Sequence, residues 1–460
     1  MGLVGLLSAA GLACATPQVK SIVQVAQPAP GAAPAAPASA TGWQTEAAQK
    51  AGIKLLQTFD ASGPAAWDAQ KHPLVFFTSN GPGYGGIPSK VKLPGLTVID
   101  AKTKEVVASQ WYDLKYGVEG ADATASEPHS LGVSSDGQWI YLPAADPSAP
   151  ADDRGRLLVI DAKTLKLRQV IGTQRLPHHS KILTPPDGRK LMLVYDFGGS
   201  GIYILDTKND NKVVAVISDQ DLGGRRYLAF PDTKHENIWI TVRPSSGVEA
   251  DGWVAVVSTK DWKEKKNYTV GRSPIWVTFT ADGKYAYVDN GHDDSYHKID
   301  ILKGAVVGHA RNGGSGPYGM ALNWDETELW FISKGEGSHN RGKTVSYVDP
   351  IAMGRPKDEF YTGCIRGDHI YLYPDPQVNE MWLSCNSSFE VVVWDPVKKE
   401  VKARIPMPDG GSTHSGAFVR YTVDGSGQWK GEILYDHGGA QGATLAKRAE
   451  LAAQAAKKSQ

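Results

Sequence analysis

Short apolar runs rich in Val, Ile, Tyr and Trp recur along the chain between clusters of Gly, Pro, Asp and Asn, which predicts many short β-strands joined by tight turns. The pattern also repeats. An apolar strand, an aspartate-centred turn and a second aromatic strand read as HSLGVSSDGQWIYL from His129, HSKILTPPDGRKLMLV from His179, RYLAFPDTKHENIWITV from Arg226 and IWVTFTADGKYAYV from Ile275. They continue as YGMALNWDETELWFI from Tyr318, HIYLYPDPQVNEMWL from His369 and HSGAFVRYTVDGSGQWKGEILY from His414. The turn aspartates Asp136, Asp187, Asp232, Asp282, Asp325, Asp375 and Asp424 lie 51, 45, 50, 43, 50 and 49 residues apart.

A second register counts seven as well, with strands ending at Asp100, Asp161, Asp206, Ser258, Asp300, Asp349 and Asp395. Each unit is therefore a four-stranded antiparallel blade, and a ring of such units is an all-β, seven-bladed β-propeller. The N-terminal part supplies LVFFTSN and LTVID without an inner strand, while the C-terminal part supplies an inner strand and EILYD with nothing after it. Joining the two closes one blade from both termini. Eight blades is the alternative, because the second-strand type appears eight times.

Composition agrees with this fold: 50 glycines, 28 prolines and 13 tryptophans in 460 residues fit a turn-rich β-protein and exclude a helical bundle. Lys plus Arg and Asp plus Glu both total 49, so no general field draws the chain to nucleic acid. At the N-terminus, LVGLLSAAGLA from Leu3 to Ala13 resembles the later part of an export signal, over residues 1–14. Gly-Leu-Ala-Cys loosely matches a lipoprotein cleavage box, which leaves a membrane tether through a lipidated Cys14 and an ordinary removed signal as the two readings. An Ala/Pro-rich linker is expected over 15–42, the propeller over 43–442 and a helical tail, on the surface or frayed, over 443–460. The expected location is exported or periplasmic. With Cys14 removed or lipidated, Cys364 and Cys385 remain, either as one disulfide or as two unpaired buried thiols.

In a propeller the inner strands line a central channel, so equivalent residues of each repeat sit at one level. Four residues before Val133, Leu183, Phe230, Phe279, Leu322, Leu372 and Phe418 stand His129, His179, Arg226, Ile275, Tyr318, Asp368 and His414. His178 and His369 adjoin this ring, and it thus gathers five of the 12 histidines; His437, in YDHGG, is placed to reach it. Converging imidazoles without thiolates suit copper, so these six are candidate metal ligands. Arg226, Tyr318 and Asp368 are the catalytic candidates: Arg226 and Tyr318 would put a cation and a hydroxyl beside a metal, suited to holding an anionic or linear polar substrate. The ordinary alternative pairs Arg226 with a neighbouring carboxylate. His72, His235, His292, His297, His309 and His339 read as ordinary loop or strand residues.

The single histidine in PHS (His129), the pair in LPHHSK (His178, His179) and the later singles in GDHIY (His369), STHSG (His414) and YDHGG (His437) resemble the exported seven-bladed copper propellers. These are the thiocyanate dehydrogenases and the catalytic domain of nitrous oxide reductase. The histidine order is more similar to thiocyanate dehydrogenase, and nothing in the sequence resembles the cupredoxin domain of nitrous oxide reductase. The resemblance implies a multicopper site acting on a small inorganic sulfur- or nitrogen-containing substrate, with a c-type cytochrome or cupredoxin as separate electron partner. A second resemblance, to d-type haem propellers of nitrite reductase and its biogenesis proteins, implies His129 or His414 as axial ligand and Arg225 and Arg226 on the haem carboxylates. A non-enzymatic binding propeller is the third reading.

Overall fold

The computed structural model describes residues 40–458 except 70–72, 80–92, 113–128, 147–148, 197–198, 200, 337–341, 355 and 357. Cys14, the expected linker apart from its last residues, His72 and His339 lie outside the described residues. The strands form seven antiparallel sheets arranged as a seven-bladed β-propeller. The inner strands, in blade order, are Gly132–Val133, Pro177–Leu183, Arg225–Pro231, Pro274–Phe279, Pro317–Leu322, Gly367–Leu372 and Gly416–Val423.

Both repeat registers have a local cause. In the turn after each inner strand, the aspartate folds back on its own backbone: Asp136 accepts from the Ser134 hydroxyl at 2.6 Å, and Asp282 from Thr280 at 2.7 Å and the Lys284 amide at 3.0 Å. The following Gly137 and Gly283 both have φ of 71°, a left-handed conformation in which a Cβ is strained. The aspartate ending each third strand caps the next turn, as where Asp161 accepts from Thr164 N at 2.8 Å and Asp395 from Val397 N at 2.9 Å. Ser258, the exception, does the same with Lys260 N at 3.2 Å.

Blade 7 closes the ring, with Gly416–Val423 from the C-terminus followed by Leu74–Thr78, Gly95–Asp100 and Val106–Trp111 from the N-terminus. The strand Trp429–Asp436, which contains EILYD, is not its second strand. It pairs with Gly416–Val423 on the side opposite Leu74–Thr78 and so runs on the channel side, its Ile433 packing in one core cluster with Leu131 and Ile182 and its Leu434 and Tyr435 in another with Ile370 and Leu372. This inserted strand accounts for the eighth copy of the second-strand pattern. Outside the ring, Lys54–Thr58 adds to the edge of blade 1 and the helix Glu46–Lys50 packs on blade 2, so both outer edges are covered. The C-terminal helix Gly442–Lys458 docks through a cation rather than an aromatic anchor: buried Arg448 donates to the Phe279 carbonyl at 2.9 Å and pairs with Glu326 at 2.8 Å. Cys364 and Cys385 form a disulfide in blade 6.

Candidate metal centre

Strict β alternation would send neighbouring residues to opposite faces, so His178 with His179, and Asp368 with His369, require a break in the ladder. Each pair has one. In blade 2, Tyr195 pairs with His179 but Asp196 with Pro177; in blade 6, Gly367 pairs with Cys385 and the next partners are Ile370 and Leu383. These bulges free both residues of each pair to face the hub. Blades 5 and 6 approach closely there, since a Cβ on Gly319 would lie 2.6 Å from the Asp368 carbonyl oxygen.

All six candidate histidines are buried in one cluster. The His129 ring centroid lies 4.3 Å from His178, 4.3 Å from His414, 4.9 Å from His179 and 6.1 Å from His369. On the other side, His179, His369 and His437 are mutually 5.5, 5.6 and 5.5 Å apart. His437 gets there because the channel strand ends at Asp436. Two overlapping groups bring ligand atoms within 4.8 Å of one another, namely His129, His179 and His369, and His129, Asp368 and His414. His129 belongs to both.

Electrostatics favours neutral imidazoles with free lone pairs. Burial first, then neighbouring rings and Lys334 or Lys181, hold the proton affinities of His129, His178, His179 and His437 well below the ordinary value, and that of His369 down to about 3. Burial pushes the Asp368 carboxyl up, but Lys334 and His414 outweigh it and keep it ionised. Asp368 pairs with Lys334 through Oδ1 at 2.9 Å and with His414 through Oδ2, and Oδ2 is also 3.6 Å from His129 Nε2. His179 Nε2, His369 Nε2 and His437 Nδ1 are buried without a hydrogen-bond partner. A cation at the hub would satisfy such atoms, and imidazole plus carboxylate is a donor set for a borderline transition metal.

The other candidates divide. Tyr318 is fully buried with its hydroxyl 3.0 Å from His129 Nε2 and 3.3 Å from the Tyr227 hydroxyl. Arg226 does not face a substrate space: its guanidinium is held by Asp196 and Asp219, because a buried cation is stable only when compensated. Ile275 is buried, and its neighbour Trp276 packs on His369 at 4.9 Å. Sequence reasoning missed Lys334, buried with its ammonium 3.6 Å from the Tyr318 ring centroid, and Asn386, which bonds the His414 ring. Both follow the second strands of their blades, and since those strands run antiparallel to the inner ones, their ends return to the level of the histidine ring.

No protein-family model matches the chain, and no curated protein matches it. Solved structures do. The periplasmic gluconolactonase PpgL of Pseudomonas aeruginosa superposes with a TM-score of 0.52 at 16% identity, covering 75% of this chain and 99% of that one. Hydrazine synthase of Kuenenia stuttgartiensis gives 0.48 at 14%, covering 69% and 98%, and dihydro-heme d1 dehydrogenase NirN gives 0.48 at 16%, covering 84% and 78%. At 16% identity the likeness to the gluconolactonase shows the fold and nothing further.

Proposed function

We propose that the chain is an exported copper-dependent oxidoreductase of the thiocyanate dehydrogenase type, acting on a small inorganic sulfur- or nitrogen-containing substrate. The observation supporting this reading is the convergence of six buried imidazoles and one ionised carboxylate, with three imidazole nitrogens lacking any partner. His129, His179 and His369 form one ligand set and His129, Asp368 and His414 the other, with His178 and His437 flanking them. Copper supplies a Lewis acid and a one-electron redox centre when bound. The chain's own groups do the rest. Burial excludes water, Lys334 places positive charge beside Asp368 and suits an anionic substrate, and Tyr318 offers a hydrogen bond from the wall. In this reading the electrons pass to a separate c-type cytochrome or cupredoxin. The d-type haem reading needs one axial histidine and a flat slot; imidazole centroids 4.3 Å apart favour ions over a macrocycle.

Copper titration of the chelator-treated full chain tests this. At least one tightly held copper per chain is expected, and His129→Ala, which removes the ligand common to both sets, should weaken retention by about tenfold or more. Less than one copper at saturation, or unchanged retention in the variant, overturns the proposal and leaves a binding propeller.

A further inference from the structure

The opposite end of the channel carries a different chemistry. Five residues beyond His179, about 16 Å at the rise of a strand, the wall of blade 2 reaches Thr184 and borders a cavity of about 460 Å³. Three cations line it, Lys190, Arg420 and Lys430, against one carboxylate, Glu432. In a chain whose charges balance, that excess is local. Among the described residues Glu432 pairs with Arg420, at 3.7 Å, and Lys190 and Lys430 have no ion pair. The Ser135 hydroxyl also lines the cavity, whereas Thr184 Oγ1 contacts His235 Nδ1 at 3.3 Å, the Thr422 hydroxyl donates to the Lys430 carbonyl at 3.4 Å and the Gln441 amide to Asp436 Oδ1 at 3.4 Å. The 17-residue helix Gly442–Lys458 begins at this wall with no acidic residue in its first turn, so its positive end adds to the same field.

We propose that this cavity binds a small multivalent oxyanion, a polycarboxylate or a phosphate, and that its occupancy braces the channel strand Trp429–Asp436. Lys430 to Ile433 of that strand form part of the cavity wall, and the same strand continues, past a bulge at Leu434, to Asp436, beside His437. An anion bound at one end thus ties the strand to blade 2 through Lys190 and to blade 7 through Arg420, and coupling between the two ends is reciprocal. The inference stands on the cavity and its charges, apart from any metal at the hub.

The test uses the chelator-treated full chain, titrated by calorimetry with citrate, with inorganic phosphate and with chloride at matched ionic strength. Citrate or phosphate should bind saturably, raise the melting temperature and slow amide hydrogen exchange across Trp429–Asp436, and whichever binds more tightly fixes the ligand class. Lys190→Gln with Lys430→Gln, both at exposed positions, should weaken binding about tenfold and abolish the exchange protection. No saturable heat, equal effects from chloride, or an undiminished effect in the double variant overturns the proposal. Binding without protection of the strand overturns the bracing.

Discussion

Blades 1, 2, 6 and 7 present the same backbone position to the hub as blades 3, 4 and 5, yet fill it with opposite chemistry. The first group places His129, His179, Asp368 and His414 there; the second places Arg226, Ile275 and Tyr318. The difference teaches that sevenfold backbone symmetry makes a site only when the side chains break it. One half of the ring supplies lone pairs. The other half supplies what keeps those lone pairs in place: Trp276 packs on His369, Tyr318 bonds His129, and Lys334 from blade 5 clamps Asp368 of blade 6. Arg226, the remaining member, holds blade 3 to blade 2 through Asp196.

The sharpest way to break this division is to remove a supporting charge that is not a ligand. Lys334→Met leaves Asp368 buried without its cation, and losing one partner of a buried pair costs about 3–5 kcal/mol. Chemical denaturation of the metal-free chain should show that loss, and Lys334→Met combined with Asp368→Asn should recover part of it. If the single variant is as stable as the parent, blade 5 does not support blade 6 and the two halves are independent.

How much of this was legible in the sequence follows from what the repeat encodes. Its phase fixes how far along a strand, and how near the axis, a residue lies, so the fold, the seven blades and the ring of His129, His179 and His414, with His178 and His369 beside it, were readable from spacing; His437 was not, because it follows the channel strand, whose place the repeat does not give. Side-chain partners are not encoded by phase. Asp196 and Asp219 lie 30 and seven residues before Arg226, and no motif links them to it. Lys334 stands in ISKGEG, where a lysine after a strand reads as a solvated surface charge. EILYD has second-strand composition, and only the existing pairing of Leu74–Thr78 with the inner strand forces it to the other side. The ends of the second strands were an unused signal. A second circle at their level holds Asp196, Asn290, Lys334 and Asn386.

Acid should separate the halves by a smaller margin. Burial lowers the proton affinity of the clustered histidines in the folded, metal-free chain, whereas the unfolded chain takes up protons near pH ~6.5. Their contribution to stability is therefore complete above about pH 6.5 and is lost progressively as pH falls toward the His369 value of about 3. Melting temperatures of the metal-free chain should fall from pH 7 to pH 4. His369→Gln should flatten that slope, while Arg226→Lys, in the other half, should leave it unchanged. A slope insensitive to His369 would assign the acid response elsewhere.

The smallest expected effect concerns Tyr318, the point where the supporting half touches a ligand directly. Its hydroxyl, 3.0 Å from His129 Nε2, occupies the nitrogen that an ion would otherwise engage. Tyr318→Phe keeps the ring against His369, whose centroid is 5.7 Å away, and deletes the hydrogen bonds with His129 and, at 3.3 Å, with the Tyr227 hydroxyl, together worth about 1–2 kcal/mol. In the metal-free chain the variant should be less stable by that amount. In the copper-loaded chain the penalty should shrink, because metal and hydroxyl compete for the same lone pair, and copper stoichiometry should not change. Denaturation with and without copper measures both numbers. An equal loss in the two states would mean that Tyr318 bonds some other group when metal is present and that His129 meets copper through its second nitrogen.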